Sequence, residues 1–137
     1  MRVATLLNHE VIYYYFFSYV LFSSSELSQL GHLLMGTKFR GVFPLDRVPQ
    51  NLRHDGGFIV NSHSSTLPGE HWIAVYVHPT VVKVFDPLGF YYPSSLVSQI
   101  ERQSSGRVEY NRLHYQHPLT TLCGHYCLLW LTLQTLL

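Results

Sequence analysis

Two short apolar segments separated by a turn constrain the fold of this chain more than any other feature. Residues His71–Val77 and Val81–Asp86 are rich in β-branched and aromatic side chains, and His78-Pro79-Thr80 lies between them. Segments of this composition on either side of a turn predict two strands joined as a β-hairpin. The chain is therefore predicted to contain an antiparallel pair whose outer ends are His71 and Asp86.

The register of this hairpin predicts which side chains meet. If the turn is centred between His78 and Pro79, His71 lies directly opposite Asp86, with Cβ atoms about 5 Å apart. Proline fits poorly in the tightest two-residue turns, so we expect a longer loop with the same centre. An aspartate in this position can accept a hydrogen bond from the histidine ring and hold the ring in one orientation.

Cys123 begins a long apolar segment that continues to the last residue, Leu137. This segment is predicted to form a helix, with Thr120 or Thr121 as its N-cap. Unpaired N–H groups and the helix dipole at that end favour a thiolate, and a charged histidine nearby favours it further. Cys123 is therefore a candidate nucleophile.

Four residues together supply the groups that a cysteine peptidase needs. In chain order they are His71, a general base; Asp86, its orienting acid; Gln116, a side-chain amide donor; and Cys123, the thiol. The Gln116 amide and the Cys123 backbone N–H could stabilise the oxyanion that forms when a thiolate attacks a peptide carbonyl. Histidine would then protonate the leaving amine.

Each of these residues also has a purely structural interpretation. Cys123 could be a small core residue, His71 a half-buried strand residue, Asp86 the start of a turn and Gln116 a strand cap. None is persuasive alone. Their order, with each at the end of a predicted element, favours the peptidase interpretation.

Zinc binding is a further alternative. Cys123 and Cys127 would lie on one face of the helix, and three histidines are close in sequence: His114, His117 and His125. Zinc takes about four ligands at tetrahedral positions. Gly124 and the apolar neighbours do not suggest a zinc knuckle, so we expect no metal and no cofactor. Cys127 is predicted to be buried packing one turn beneath the nucleophile.

The remaining elements predict an α+β fold. Ser23 to Glu26 has the pattern of a capping box, followed by leucines at helical spacing and a stop at Gly36. Residues 39–49 are predicted to be loop with at most a short strand. We also predict a strand at Gly57–Asn61, a helix at Ser94–Gln103 and a strand at Val108–Tyr115. Together with the hairpin and the first and last helices, these elements give the order helix, three strands, helix, strand, helix.

Composition limits the class of protein. Hydrophobic residues make up 47% of the chain and charged residues 12%, and the net charge of +1 is not arranged as a basic stripe, so nucleic acid is not the expected partner. The two cysteines make a poor disulfide framework, which favours an intracellular protein over a secreted one. The apolar segment Val11–Phe22 is short for a membrane span, which needs about 20 residues. We expect residues 1–22 to be an apolar extension whose role the sequence leaves open, and residues 23–137 to form one domain.

The motifs resemble those of the adenovirus endopeptidase (adenain) family along most of the chain from Ser23. The similar segments are Phe39-Arg-Gly-Val-Phe-Pro44, Gly57-Phe-Ile-Val-Asn61 followed by His71-Trp72, Phe85-Asp-Pro-Leu-Gly-Phe90, and Gln116 followed by Cys123-Gly124. The combination is specific, although no single segment is.

The resemblance implies a papain-like peptidase of circularly rearranged topology, with a mostly antiparallel sheet packed on the helix that carries the cysteine. It assigns the nucleophile to Cys123, the base to His71, the orienting acid to Asp86 and the oxyanion donor to Gln116. It also implies cleavage after small residues, typically glycine, with Trp72 and Gly124 next to the substrate. The family acts in maturation of virus-particle precursor proteins, and relatives occur in other large DNA viruses and virus-like mobile elements. The implied location is the host nucleus, cytoplasm or virion.

Three departures from the family pattern affect these expectations. The acid is Asp86 where the family has glutamate. The stretch near Ser104-Ser105 lacks the cysteine through which the family binds its activating peptide, so an activating peptide or protein would have to bind without that disulfide. The chain also ends 14 residues after Cys123, whereas family members continue.

The early end has a consequence for the last helix. Its leucines are spread around the helix, and an all-round apolar helix must be covered on most sides. We therefore expect a partly exposed apolar surface, suited to self-association or to a partner. Two other functions remain open: a ubiquitin-like-protein (SUMO-type) protease, although Leu122 stands where those enzymes usually have an acidic residue or Asn, and an inactive fragment that serves as an interaction module.

Overall fold

Five strands and three α-helices make up the part of the chain that the computed structural model describes, residues 22–62, 71–89, 92–104, 106–113 and 123–137. This composition confirms the predicted α+β class. The elements in chain order are α1 (Ser24–Met35), β1 (Phe39–Phe43), β2 (Gly56–Asn61), β3 (Trp72–Val77), β4 (Val81–Phe85), α2 (Ser94–Gln103), β5 (Arg107–Tyr110) and α3 (Cys123–Gln134), with 3₁₀ turns at Gly36–Lys38 and Leu45–Arg47.

The sheet has the order β1-β2-β3-β4-β5 and is mixed. The pairs β2–β3 and β3–β4 are antiparallel, whereas β1–β2 and β4–β5 are parallel. The expected predominance of antiparallel pairing is therefore not confirmed. The reason lies in the connection between β4 and β5, because the chain passes through α2 and returns to the starting end of β4, which produces a parallel neighbour.

The predicted hairpin is present, but its predicted register is wrong. Ala74 pairs with Phe85 and Val77 with Val82, and the His78 N–H donates to the Val81 carbonyl over 2.9 Å. Pro79 and Thr80 thus form a two-residue loop rather than a longer one. Proline suits the second position of a four-residue turn because its φ is preset.

The corrected register moves the position opposite His71 from Asp86 to Leu88. A displacement of two residues keeps the same face of a strand, since side chains alternate with a period of two. His71 and Asp86 therefore become diagonal rather than direct neighbours, which still leaves them within reach of each other.

Helices cover both faces of the sheet. On one face, α1 and α3 pack on alternate residues of β3, forming a core that includes Leu27, Trp72, Tyr76 and Leu128. On the other face, α2 packs on a set rich in valine, and this core includes Val75, Val84, Leu96 and Ile100. The sheet is thus buried on both sides, and Cys123 belongs to the first of these two cores.

The start of α1 follows the prediction. Ser23 is the N-cap, its hydroxyl accepts from the Glu26 N–H over 3.1 Å, and Glu26 Oε1 accepts from the Ser23 N–H over 3.1 Å. Gly36 ends the helix at a φ of 59°, which glycine adopts without strain. β1 is the short strand that the prediction for residues 39–49 allowed, whereas β5 is shorter than predicted.

The end of α3 leaves an apolar surface in contact with solvent, as the sequence predicted. We call it the leucine patch; its members are Leu129, Leu133, Leu136 and Leu137, which are 41%, 51%, 55% and 82% exposed. Within the described residues, none of the helices is long and apolar enough to cross a membrane. Residues 11–21 of the apolar segment Val11–Phe22, the predicted loop at 63–69 and the predicted cap at Thr120 or Thr121 lie outside the described residues.

Candidate active site

His71 and Asp86 lie at the same edge of the sheet. His71 directly precedes β3 and Asp86 directly follows β4, and these two ends are adjacent because the strands are antiparallel. The His71 Nε2–H donates to Asp86 Oδ1 over 2.5 Å. Asp86 is fully buried and the His71 side chain is 13% exposed, so this is an ion pair largely shielded from water.

Cys123 reaches the same place from α3. It is the first residue of that helix, which packs on β3, and its sulfur lies within hydrogen-bonding range of the His71 ring. Because Nε2 already donates to Asp86, Nδ1 is the ring nitrogen left for the sulfur. Cys123, His71 and Asp86 therefore form a continuous chain of contacts, with the imidazole in the middle.

The charge of the His71 ring follows from this environment. Burial lowers the pKa of His71, but hydrogen bonds to Asp86 and Cys123, together with attraction to their negative charges, raise the pKa from 6.5 to about 9. The ring is thus an imidazolium at neutral pH. This cation lies beside the thiol at the first residue of α3.

Asp86 is held by further hydrogen bonds. Its Oδ1 also accepts from the Leu88 N–H over 3.0 Å. Its backbone N–H donates to Asn111 Oδ1 over 2.8 Å, and its carbonyl accepts from Asn111 Nδ2 over 2.6 Å. Asn111 was missed by the sequence reasoning. Asn111 lies in the middle of the strand predicted at Val108–Tyr115, and only the parallel pairing of β4 with β5 brings it beside Asp86.

Cys127 has a different environment from Cys123. It is fully buried, its sulfur donates to the Trp72 carbonyl over 3.3 Å, and burial raises its pKa well above the ordinary value. These properties describe a neutral, structural thiol. The predicted packing role of Cys127 agrees with this placement.

Trp72 and Gly124 pack next to each other beside Cys123. Trp72 is 6% exposed, and a methyl group added at Gly124 would lie 3.5 Å from Trp72 Cδ1 and 3.0 Å from Leu27 Cδ2. Both residues therefore support the start of α3 from within the core. Their contact with a substrate stays a prediction.

The structure brings together three of the four predicted catalytic residues. The fourth, Gln116, lies outside the described residues, as do His114 and His117. His125 is buried and its ring stacks on that of Phe22 at 4.2 Å, and burial lowers its pKa. No group of three or more His, Cys, Asp or Glu side chains in the described ranges could hold a metal ion.

The comparisons with known proteins find similarity in structure but not in sequence. No protein-family model matches the chain, and no curated protein matches it. The crystal structure of the ASFV pS273R protease matches with a TM-score of 0.67 and 15% identity, over 86% of this chain and 58% of that one. The selenomethionine crystal structure of that protease gives a TM-score of 0.57 and 16% identity, over 86% of this chain and 59% of that one.

This similarity defines the class of fold. The chain spans less than two thirds of the length of the pS273R protease, and it shares that protease's fold across most of its own length. At 15% identity the likeness shows a shared fold alone. The type of reaction must be argued from the site.

Proposed function

We propose that this chain is a cysteine endopeptidase with Cys123 as nucleophile, His71 as general base and acid, and Asp86 as the orienting carboxylate. The observation that carries the proposal is the His71 ring, which contacts Asp86 through Nε2 and lies within hydrogen-bonding range of Cys123. A thiolate paired with an imidazolium that a buried carboxylate orients is the arrangement that nucleophilic catalysis by cysteine requires.

The reaction follows from these contacts. The Cys123 thiolate attacks the peptide carbonyl carbon, and the proton on His71 Nδ1 passes to the leaving amine as the C–N bond breaks, which leaves a thioester. Water then attacks the thioester carbonyl carbon, and His71 accepts a proton from that water. The C–S bond breaks, which releases the carboxylic acid product and regenerates the Cys123 thiolate. The Cys123 backbone N–H and the Gln116 side chain are the proposed donors to the oxyanion in both steps.

Substrate and biological role come from the family resemblance. We propose cleavage after small residues of the glycine type, with Trp72 and Gly124 at the substrate channel, within a papain-like fold of circularly rearranged topology. The proposed role is maturation of viral precursor proteins inside the host cell or virion. The shared fold with the ASFV pS273R protease supports a viral relative. An activating peptide or protein would bind without the family's disulfide.

A second candidate function is an interaction module without catalysis. Two observations favour it: Cys123 is only 2% exposed, and the leucine patch offers a surface for another protein. The two functions differ in the reactivity of one sulfur, because a catalytic thiolate reacts much faster than an ordinary thiol at acidic pH.

The decisive experiment is labelling with an electrophilic peptide that ends in glycine, followed by mass mapping of the modified residue. The peptidase proposal expects rapid modification of Cys123 at pH 6 and none of Cys127. Cys123→Ser should abolish the labelling, whereas the matched variant Cys127→Ser should retain it. Labelling no faster than that of a free thiol, or equal on both cysteines, would favour the interaction module.

A substrate comparison separates the two peptidase classes. A Gly-X-Gly peptide and a SUMO precursor would be offered to the same preparation. Cleavage of the peptide alone supports the viral type, whereas preferential cleavage of the precursor supports a ubiquitin-like-protein protease.

A further inference from the structure

Asn111 occupies a position that no sequence motif marks. It directly follows β5, and the parallel pairing of Val84 with Tyr110 places it beside the end of β4. Its backbone N–H donates to the Val84 carbonyl over 3.3 Å, which continues the ladder by one step. Its side chain is therefore directed by the sheet toward the residue that follows β4, Asp86.

The Asn111 amide binds the backbone of Asp86 on both sides. Oδ1 accepts from the Asp86 N–H over 2.8 Å and Nδ2 donates to the Asp86 carbonyl over 2.6 Å. A reversed amide would place its NH₂ group against an N–H and its oxygen against a carbonyl, so only one orientation satisfies both contacts. Asp86 has no freedom to rotate about its backbone without breaking one of these bonds.

Two further contacts hold Asn111 itself. Its Nδ2 also donates to the Leu113 carbonyl over 3.0 Å. The Tyr92 hydroxyl donates to the Asn111 carbonyl over 2.7 Å and also contacts its Oδ1. Burial raises the pKa of Tyr92, so the hydroxyl remains a neutral donor throughout the pH range in which a peptidase works. Nδ2 thus uses both of its hydrogens, and Oδ1 accepts from the Asp86 N–H.

We propose that Asn111 is a positioning residue, which holds the backbone of Asp86 so that the carboxylate aims at Nε2 of His71. It acts through Asp86 and does not touch a substrate or the sulfur. The catalytic consequence rests on the proposed cysteine peptidase activity, whereas the effect on the His71 ring does not.

The test is Asn111→Ala in the full chain, with Asn51→Ala as the matched control because Asn51 is exposed and far from the hairpin ends in sequence. Misplacement of a catalytic group by about 1 Å costs on the order of 100-fold in rate. We expect kcat to fall by about 10- to 100-fold with KM within about twofold, and no change for Asn51→Ala. The alkaline limb of the pH profile should move to lower pH, because a misdirected carboxylate stabilises the imidazolium less.

A conservative variant and a second position protect the test against simple unfolding. Asn111→Gln keeps the amide one methylene further out and should recover part of kcat relative to Asn111→Ala. If Asn111→Ala does not fold, Asn111→Ser decides, since its hydroxyl is too short to bind the Asp86 N–H and the Asp86 carbonyl together. It should lower kcat by about tenfold or more, and a kcat and a His71 titration identical to those of the native chain would overturn the proposal.

The titration of His71 followed by NMR without substrate distinguishes this proposal from the peptidase proposal. A lower His71 pKa in folded Asn111→Ala supports the positioning role even if the chain cleaves no peptide, in which case only the peptidase proposal fails. Native peptidase activity, with unchanged kcat and unchanged His71 titration in folded Asn111→Ala, would overturn the positioning role alone.

Discussion

Two histidines flank β3, and each reaches a different end of α3. His71 precedes the strand, contacts Asp86 at 2.5 Å and lies within hydrogen-bonding range of Cys123 at the first residue of the helix. His78 follows the strand, and its Nε2 contacts Gln134 Oε1 at 2.8 Å at the last residue of the helix. The same residue type, on the same strand and against the same helix, thus has a charged partner at one end and a neutral one at the other.

The difference between the two histidines shows which end of β3 is suited to catalysis. At the His71 end, a buried carboxylate and a sulfur raise the pKa of the ring to about 9, and the ends of β4 and β5 bring Asn111 to support it. At the His78 end, the neutral amide of Gln134 holds the ring, and this end of α3 lies next to the leucine patch. One end is built around a charge and the other around a structural hydrogen bond.

The largest expected effect comes from replacing each histidine by glutamine. His71→Gln keeps a donor for Asp86 but removes the proton-transferring ring, so we expect peptidase activity to fall by about 10²- to 10⁴-fold. His78→Gln should change activity by less than about twofold, because the ring contacts the neutral amide of Gln134. Steady-state rates with a Gly-X-Gly peptide measure both, and equal losses in the two variants would contradict the contrast between the ends.

The second prediction concerns the carboxylate. Asp86→Asn removes the negative charge that raises the pKa of His71, so that pKa should fall below about 9 and the alkaline limb of kcat/KM should move to lower pH. Activity at pH 8 should decrease by about 10- to 100-fold, since orientation of the ring is also weakened. Asp55→Asn is the matched control at the His78 end of the sheet and should leave the profile in place.

The third prediction is the pH dependence of stability. Because the folded pKa of His71 lies above its ordinary value of 6.5, its ion pair stabilises the native state fully below about pH 6.5 and is lost as the pH rises through about 9. The contribution is on the order of 3 kcal/mol. Chemical denaturation from pH 6 to 10 should show this loss in the native chain and not in His71→Gln, while His78→Gln should follow the native chain.

The smallest expected effects compare packing at the two ends of α3. Gly124→Val would press on Leu27, whose Cδ2 lies 3.0 Å from the added Cβ, and should lower the free energy of unfolding by about 1 to 3 kcal/mol. Leu133→Gln replaces a side chain that is 51% exposed and should change the free energy of unfolding by no more than about 0.5 kcal/mol. Denaturant titrations measure both, and a larger loss from Leu133→Gln would show that the leucine patch is covered in solution.

The local elements could be predicted because their signals are short in sequence. The capping box at Ser23 and Glu26 identified the start of α1, and apolar spacing identified α2 over Ser94–Gln103 with both ends correct. The hairpin was recognised, but its register was displaced by two residues because the turn was centred between His78 and Pro79, whereas the observed loop is Pro79 and Thr80.

The residues of the candidate site were predicted more completely than the residue that holds Asp86 in place. His71, Asp86 and Cys123 were recognised because chemically reactive residues at element ends are visible in the sequence, and an error of two residues in the register preserves the face of the strand. Asn111 was not recognised, because its contact with Asp86, 25 residues earlier in the chain, depends on the parallel pairing of β5 with β4. Nothing in the local pattern of Val108–Tyr115 predicts that pairing.

The sequence by itself determined the helices, the hairpin and the candidate catalytic residues at their ends, since capping, periodicity and turn composition act within a few residues. Only the tertiary structure decided that β5 lies parallel to β4, that Asn111 brackets Asp86, and that α3 buries Leu131 while exposing Leu133. The physical reason is that α3 is apolar on all sides, so its own pattern cannot select a buried face. That selection comes from contacts with β3 and α1, which are distant in the chain.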